Sequence, residues 1–375
     1  MLKDLETGTT TFEPKTTAPI SKRSFNRYLV ALSLLVLGFL GFVAFSTVVQ
    51  PKLRENNIRR NLRAKLRIGI ADTKPVEERE KEIGAKFDIV VKYQNVKTVN
   101  YRWMVKPYLD KGKKVVMVLE FMSYSYRNLE DVARGSYDKY LHKFIDDMKK
   151  DGNREISIRP LHEFNGDWYS WGTYRGGENN TDSFKRAFRH VAQLFKKRGA
   201  NVKMQLDYNC ENPKEDPKSF QDWFPGEDVV DMILCNGYNR KGMSQWHKSW
   251  ESFNELFSGG YARMSQLPGY KPLGVGETST TGRGDKSQWY RDAIKDVVHK
   301  FTRVQELDFF LINKGSGDWD LNSWDQKRTF GDHINKFNWA RYGRREDEVI
   351  NDEQSDELSS EEFGGEMKDS DMNEN

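Results

Sequence analysis

Cysteine is scarce in this chain: two residues, Cys210 and Cys235, among 375. Two are too few for a disulfide scaffold, and they read as a pair of buried thiols rather than a bridge. The six His are scattered, with no H-x-x-x-H or C-x-x-C spacing, so no metal site is expected. No glycine-rich phosphate turn follows the first strand-like run. No D-x-D motif follows a Rossmann-like strand, which weighs against a sugar-nucleotide transferase. Neither a cofactor nor a nucleic-acid partner is expected.

Charge is uneven along the chain. The formal net charge is +4, yet thirteen Asp or Glu and one Lys lie beyond Arg345. The first 345 residues therefore carry an excess of 16 positive charges. Aromatic residues make up 13%, with ten Trp, enough for a core and for a ligand surface as well.

One long apolar run is present. "YLVALSLLVLGFLGFVAFSTVVQ", residues 28–50, has no charge in 23 residues, enough to cross a hydrocarbon core of about 30 Å as a helix. A polar tail (1–27) precedes it and no small-residue cleavage site follows. It reads as an uncleaved signal anchor in contact with membrane lipid. Residues 51–65 read as a basic stalk and residues 343–375 as an acidic disordered tail. Lys and Arg after the span outnumber those before it. The positive-inside count alone puts the large domain in the cytoplasm. Large domains cross largely regardless of charge, and the chemistry argued below favours an extracytoplasmic or lumenal domain on a single-pass membrane protein.

Between 66 and 342 strands and helices alternate. The strand-like runs are 66–71, 87–93, 114–121, 155–162, 202–209, 229–238, 272–277 and 307–313. Amphipathic runs at 137–150, 182–199 and 287–301 lie between them. Strands apolar throughout, separated by helices, indicate a parallel sheet covered on both faces. Eight over this length predict an α/β fold of the (β/α)₈ barrel type, with a doubly wound sheet as the alternative.

In such a barrel chemistry sits at the C-terminal strand ends. Strand four ends in "RPLHEFNGDWYSWG" (159–172), strand seven in "LGVGETST" (273–280), and strand three in Glu120, a mouth residue of open role. Two glutamates across a barrel mouth, Glu163 and Glu277, suit retaining glycoside hydrolysis, with one as acid and the other as nucleophile about 5–5.5 Å away.

The strand-four run resembles the acid/base signature of glycoside hydrolase family 26, in which His precedes the catalytic Glu and N-G-x-W-[YF]-x-W follows. The order of the remaining matches agrees across 66–342: Tyr238 in "CNGYN", Tyr208–Asn209, and Asp318–Trp319. The resemblance implies a retaining endo-β-glycanase, most often acting on β-1,4-mannan, with some relatives acting on β-glucan or β-1,3-xylan. It makes Glu163 the acid/base and Glu277 the nucleophile. His162 is then expected to contact the sugar and set the local charge, and Tyr238 to orient the nucleophile. Trp168 and Trp171 are expected to stack on sugar rings, and Arg159 to hold the carboxylates; Asn209 and Trp319 complete the expected substrate-binding set. A non-catalytic carbohydrate-binding or wall-tethering barrel is the alternative, though binding alone has no need of both glutamates. Asn179, in "NNT", reads as a glycosylation sequon on a surface loop. Asp285, in "GRGD", reads as a helix cap.

Overall fold

A computed structural model describes residues 66–342 apart from Ser316, and seven isolated positions between 32 and 41. The expected tail (1–27), stalk (51–65), acidic tail (343–375) and most of the span (28–50) lie outside the described residues. The chain divides into two units, Met1–Ile58 and Arg59–Asn375. In the first, the seven described positions are helical and exposed, among them Leu32, Leu34, Val36 and Leu37. Among the described residues no helix is long and apolar enough to cross a membrane.

The second unit is a closed barrel of eight parallel strands in sequential order. They are β1 (Arg67–Ala71), β2 (Ile89–Asn95), β3 (Lys114–Glu120), β4 (Ile156–Pro160), β5 (Val202–Asn209), β6 (Met232–Asn239), β7 (Leu273–Thr280) and β8 (Val304–Phe310). β8 pairs with β1 from Arg67↔Glu306 to Ala71↔Phe310 and closes the ring. Closure leaves no strand edge exposed.

The helices follow from their sequence periods. The helix Thr181–Lys197 buries Phe184, Ala187, Phe188, Val191, Ala192 and Phe195, one face at three- and four-residue spacing. Its start is set by Asn180, whose side chain accepts from the N–H groups of Asp182 and Ser183. Gly199, at φ +67°, lies just past its end. The helix Asp138–Lys150 buries Leu141, Phe144, Ile145 and Met148 in the same way. Asp285 caps Lys286–His299 by accepting from Gln288 N–H, as its position implied.

The barrel interior has two chemistries. Ala71, Ile89, Val91, Val116, Val118 and Phe310 form an apolar cluster from β1, β2, β3 and β8. Toward β4–β8 it is polar, with Arg159, Gln205, Asp207, Asn236, Glu306 and Asp308 all buried.

Two expectations are corrected here. Cys210 and Cys235 are buried, but they form a disulfide. The β5–β6 register pairs Tyr208 with Cys235 and Asn209 with Asn236, which brings Cys210 beside Cys235. Asn179 is not a surface residue. Its Nδ2 donates to the carbonyls of Ser170 (2.8 Å) and Gly172 (3.3 Å), and its Oδ1 accepts from Leu129 N–H. The nitrogen that a glycan requires is used within the loop after β4, and the oxygen ties that loop to the segment after β3.

Candidate active site

The acid-bearing turn is built by a backbone reversal. Leu161 (φ 56°) and Glu163 (φ 52°) both take the left-handed conformation, which costs a non-glycine residue about 1–3 kcal/mol. Glu163 N–H donates to Asp207 O at 2.8 Å, and Trp171 Nε1 donates to His162 O at 2.8 Å. These two bonds hold a turn that the local sequence alone does not favour.

Glu163 is 5% exposed. Its Oε2 accepts from Trp168 Nε1 (2.8 Å) and its Oε1 from Asn236 Nδ2 (3.2 Å). The Trp168 indole lies over Gly166, where a Cβ would meet ring atoms at 2.6–2.8 Å. This gives the N-G-x-W spacing its physical reason.

Glu277 reaches the interior through an irregularity in β7. Between Val275 and Thr278 the strand carries one residue more than either neighbour, because β6 runs only from Cys235 to Gly237 and β8 from Leu307 to Phe309. Such a bulge re-aims a side chain. Glu277 Oε2 accepts from the Tyr238 hydroxyl at 2.6 Å, and its Oε1 lies 3.9 Å from His162 Nε2.

Burial pushes both carboxyls upward. Glu163 is carried to about 7 by desolvation and then by the charge of Glu277, against its hydrogen bonds from Asn236 and Trp168. Glu277 is also raised by desolvation, but the Tyr238 hydroxyl and the Arg159 charge oppose the shift. The donors and cation around Glu277 favour the charge there and the proton on Glu163.

The remaining expected residues take varied positions. Tyr238 bonds Glu277. Trp319, 6% exposed, packs its ring 5.0 Å from that of Tyr238. Trp168 is 41% exposed and keeps a face toward solvent. Trp171 is not an open sugar platform: it is fully buried and stacks on Tyr169 at 4.4 Å.

Arg159 does not touch either glutamate. It bonds Asp308 (2.7 Å), Glu306 (3.0 Å) and Gln205 (2.9 Å), and its Nη1 donates to Gly276 O at 2.7 Å. It holds the backbone next to Glu277 rather than either carboxylate. Asn209 turns its side-chain amide to Glu211 O, and its N–H donates to Asn165 Oδ1.

His162 is fully buried beside Tyr169 (4.7 Å) and Tyr93 (5.8 Å). Burial, then the charges of Arg159 and Lys314, lowers its pKa to about 3. It therefore stays neutral near neutral pH and adds no positive charge beside Glu277. Neither ring nitrogen has a hydrogen-bond partner.

Three site residues were not anticipated. Tyr93, on β2, has a buried hydroxyl facing Glu277 without a hydrogen bond of good geometry; burial and that carboxylate hold its pKa high. Asn236 Nδ2 bonds Asp207 (3.1 Å) as well as Glu163. Asn236 and Asp207 each precede an expected residue, Tyr238 and Asn209, by two positions. Strand alternation puts such residues on one face, and that was the available signal. Among the described residues, no group of His, Cys, Asp or Glu is arranged to hold a metal ion.

A parallel eight-stranded barrel with two buried glutamates at its C-terminal mouth defines the class: a glycoside-hydrolase barrel. The chain belongs to glycosyl hydrolase family 26, whose model matches residues 80–272. It is 33% identical over 273 residues to Endoglucanase H of Acetivibrio thermocellus, covering 70% of this chain and 29% of that protein. It is 24% identical over 195 residues to Mannan endo-1,4-beta-mannosidase A and B of Caldalkalibacillus mannanilyticus, covering 49% of this chain and 35% of that protein. The chain thus spans about a third of the length of these relatives. The GH26 β-mannanase structure from Bacteroides ovatus aligns with a TM-score of 0.52 at 14% identity, covering 75% of this chain and 90% of that one. The catalytic domain of a Bacillus sp. JAMB-750 GH26 endo-β-1,4-mannanase gives 0.52 at 13%, covering 75% and 89%. At these identities the likeness speaks for the fold.

Proposed function

We propose that this barrel is a retaining endo-β-glycanase working by double displacement, with Glu277 as nucleophile and Glu163 as acid/base. The observation that carries the reading is the facing pair: Glu163 raised to about 7, and Glu277 bonded by the Tyr238 hydroxyl, which favours its charge. In the first step Glu277 attacks the anomeric carbon while Glu163 protonates the leaving oxygen. In the second, Glu163 takes a proton from water, which then displaces Glu277. The half-exposed Trp168 offers an apolar ring face to the C–H side of a sugar, and its N–H orients the acid. The partnerless nitrogens of His162 and hydroxyl of Tyr93 suit hydroxyl groups of the sugar between the two carboxylates.

The strand-four motif favours a β-1,4-mannan-type polymer. The relative of 33% identity is an endoglucanase, which favours β-glucan as a second reading. A panel of β-mannan, β-glucan and β-xylan, with reducing ends measured, tests both. Binding to one of these without cleavage of any polymer or aryl glycoside would leave the tethering alternative standing.

The proposal extends to the membrane. Residues 28–50 carry no charge, and the described residues Leu32, Leu34, Val36 and Leu37 are exposed on helical backbone. Water does not favour such a surface. An anchored barrel on the extracytoplasmic or lumenal side fits the Cys210–Cys235 disulfide, because bridges persist in oxidising compartments.

A further inference from the structure

We propose that the substrate is an anionic β-glycan, bearing uronate carboxylates or sulfate esters on sugars lying against the loops after β6, β7 and β8. This rests on the glycanase reading above and adds a substrate class to it.

The three loops are joined into one rim. Thr281 Oγ1 donates to Lys241 O (2.8 Å), the Arg283 side chain packs against Gly242, and Gly282 N–H donates to Asp318. The rim carries Arg240, Lys241, Lys248, Arg283 and Lys314, none of which has an ion-pair partner among the described residues. Elsewhere on the barrel many cations are paired, as Arg189 is with Asp228 and Arg154 with Asp151.

Position ties the rim to the chemistry. The Arg240 guanidinium lies 5.7 Å from the ring centre of Tyr238, the phenol on the nucleophile. Its charge reaches Glu163, and that of Lys314 reaches Glu277 and His162. Trp246, 82% exposed in the same β6 loop, adds an apolar face among these cations. Nearby acids make no ion pair with these cations among the described residues. Asp318 accepts from Gly282 N–H through both oxygens. Glu251 is held above its ordinary pKa by burial and by Glu211 and Glu255, with Arg240 opposing. A neutral polymer has no group to meet five unpaired cations. A polymer with a carboxylate or sulfate on its outward hydroxyls does.

The test uses the full-length chain in detergent and three forms of one β-glucan: neutral, oxidised at primary alcohols to uronate, and sparsely sulfated. A β-mannan set made the same way runs in parallel. Exposed ion pairs each contribute roughly 1.5- to 5-fold in affinity, so KM for one charged form should lie about tenfold or more below that of the neutral parent. Raising salt from about 0.05 to 0.5 M should erase most of that difference, because exposed charges are screened. Lys248→Gln with Arg283→Gln should raise KM for the charged polymer several-fold, with kcat and the neutral-polymer KM unchanged. Preference for the uronate or the sulfate form identifies the anion. Equal or better cleavage of the neutral parent, or a salt-independent KM, overturns this inference while leaving the glycanase reading intact. Failure to cleave any form overturns both.

Discussion

Trp168 and Trp171 stand three positions apart, and the structure separates their work. Trp171→Ala removes a fully buried ring and the donor to His162 O, so it should cost about 3–5 kcal/mol of stability. Trp168→Phe keeps a ring but loses the N–H on Glu163; it should lower kcat with little change in melting temperature. Thermal melts and initial rates on the two variants check this, and a destabilised Trp168→Phe would contradict it. The pH profile follows from Glu163. The acid must be protonated, and its folded pKa is raised from 4.5 to about 7, so kcat/KM should fall as pH rises through about 7. Glu163→Gln should lose that limb. The same shift bears on stability: between about 4.5 and 7 the folded state binds the extra proton, so this group's contribution declines as pH rises across that window. Gly276→Ala should also impair the site, because a Cβ there would meet Asp207 Oδ1 at 2.6 Å and Asn236 Oδ1 at 2.7 Å.

At the scale of elements, the strand order and most strand positions were legible. β5 (Val202–Asn209) is the same residues as its apolar run, and the ends of β1 and β3 lie within one residue. β8 was placed three residues late, because the run at 307–313 continues its apolar character past Phe310 into the loop. The bulge in β7 was not legible, since register depends on both neighbours and not on local pattern. The same reason hid the disulfide: its sulfurs meet only through the β5–β6 register. Asn179 was misread because polar residues near glycines look like an exposed loop, whereas its amide satisfies buried carbonyls. The bridge closes a loop of 25 residues, so Cys235→Ala should cost about 3 kcal/mol relative to the oxidised chain. Urea unfolding with and without reductant measures this. Identical midpoints would mean that the bridge does not form in solution.

At the scale of the molecule, the two facing glutamates were legible and their surroundings were only partly so. Glu163 and Glu277 stood at expected strand ends; Asn236 and Asp207 had a signal in the strand alternation from Tyr238 and Asn209, while Tyr93 enters from β2, which no short motif marks. If residues 28–50 anchor the chain, removing residues 1–60 should leave a soluble barrel, and sedimentation with membranes after a high-salt wash would contradict that. A glycan at Asn179 is not expected on either side of a membrane, because the folded loop encloses its amide. Protease protection of sealed vesicles decides the orientation instead: the barrel should resist digestion until detergent is added, and digestion of intact vesicles would place it in the cytoplasm. The measurement closest to the central claim is covalent trapping. A 2-deoxy-2-fluoro β-glycoside with an activated leaving group slows the second displacement more than it slows departure of the leaving group. Intact mass should show one sugar added, and peptide mapping should place it on Glu277; Glu277→Ala should remain unlabelled. Turnover of the parent aryl glycoside with no adduct, releasing the inverted anomer first, would contradict the two-glutamate retaining mechanism.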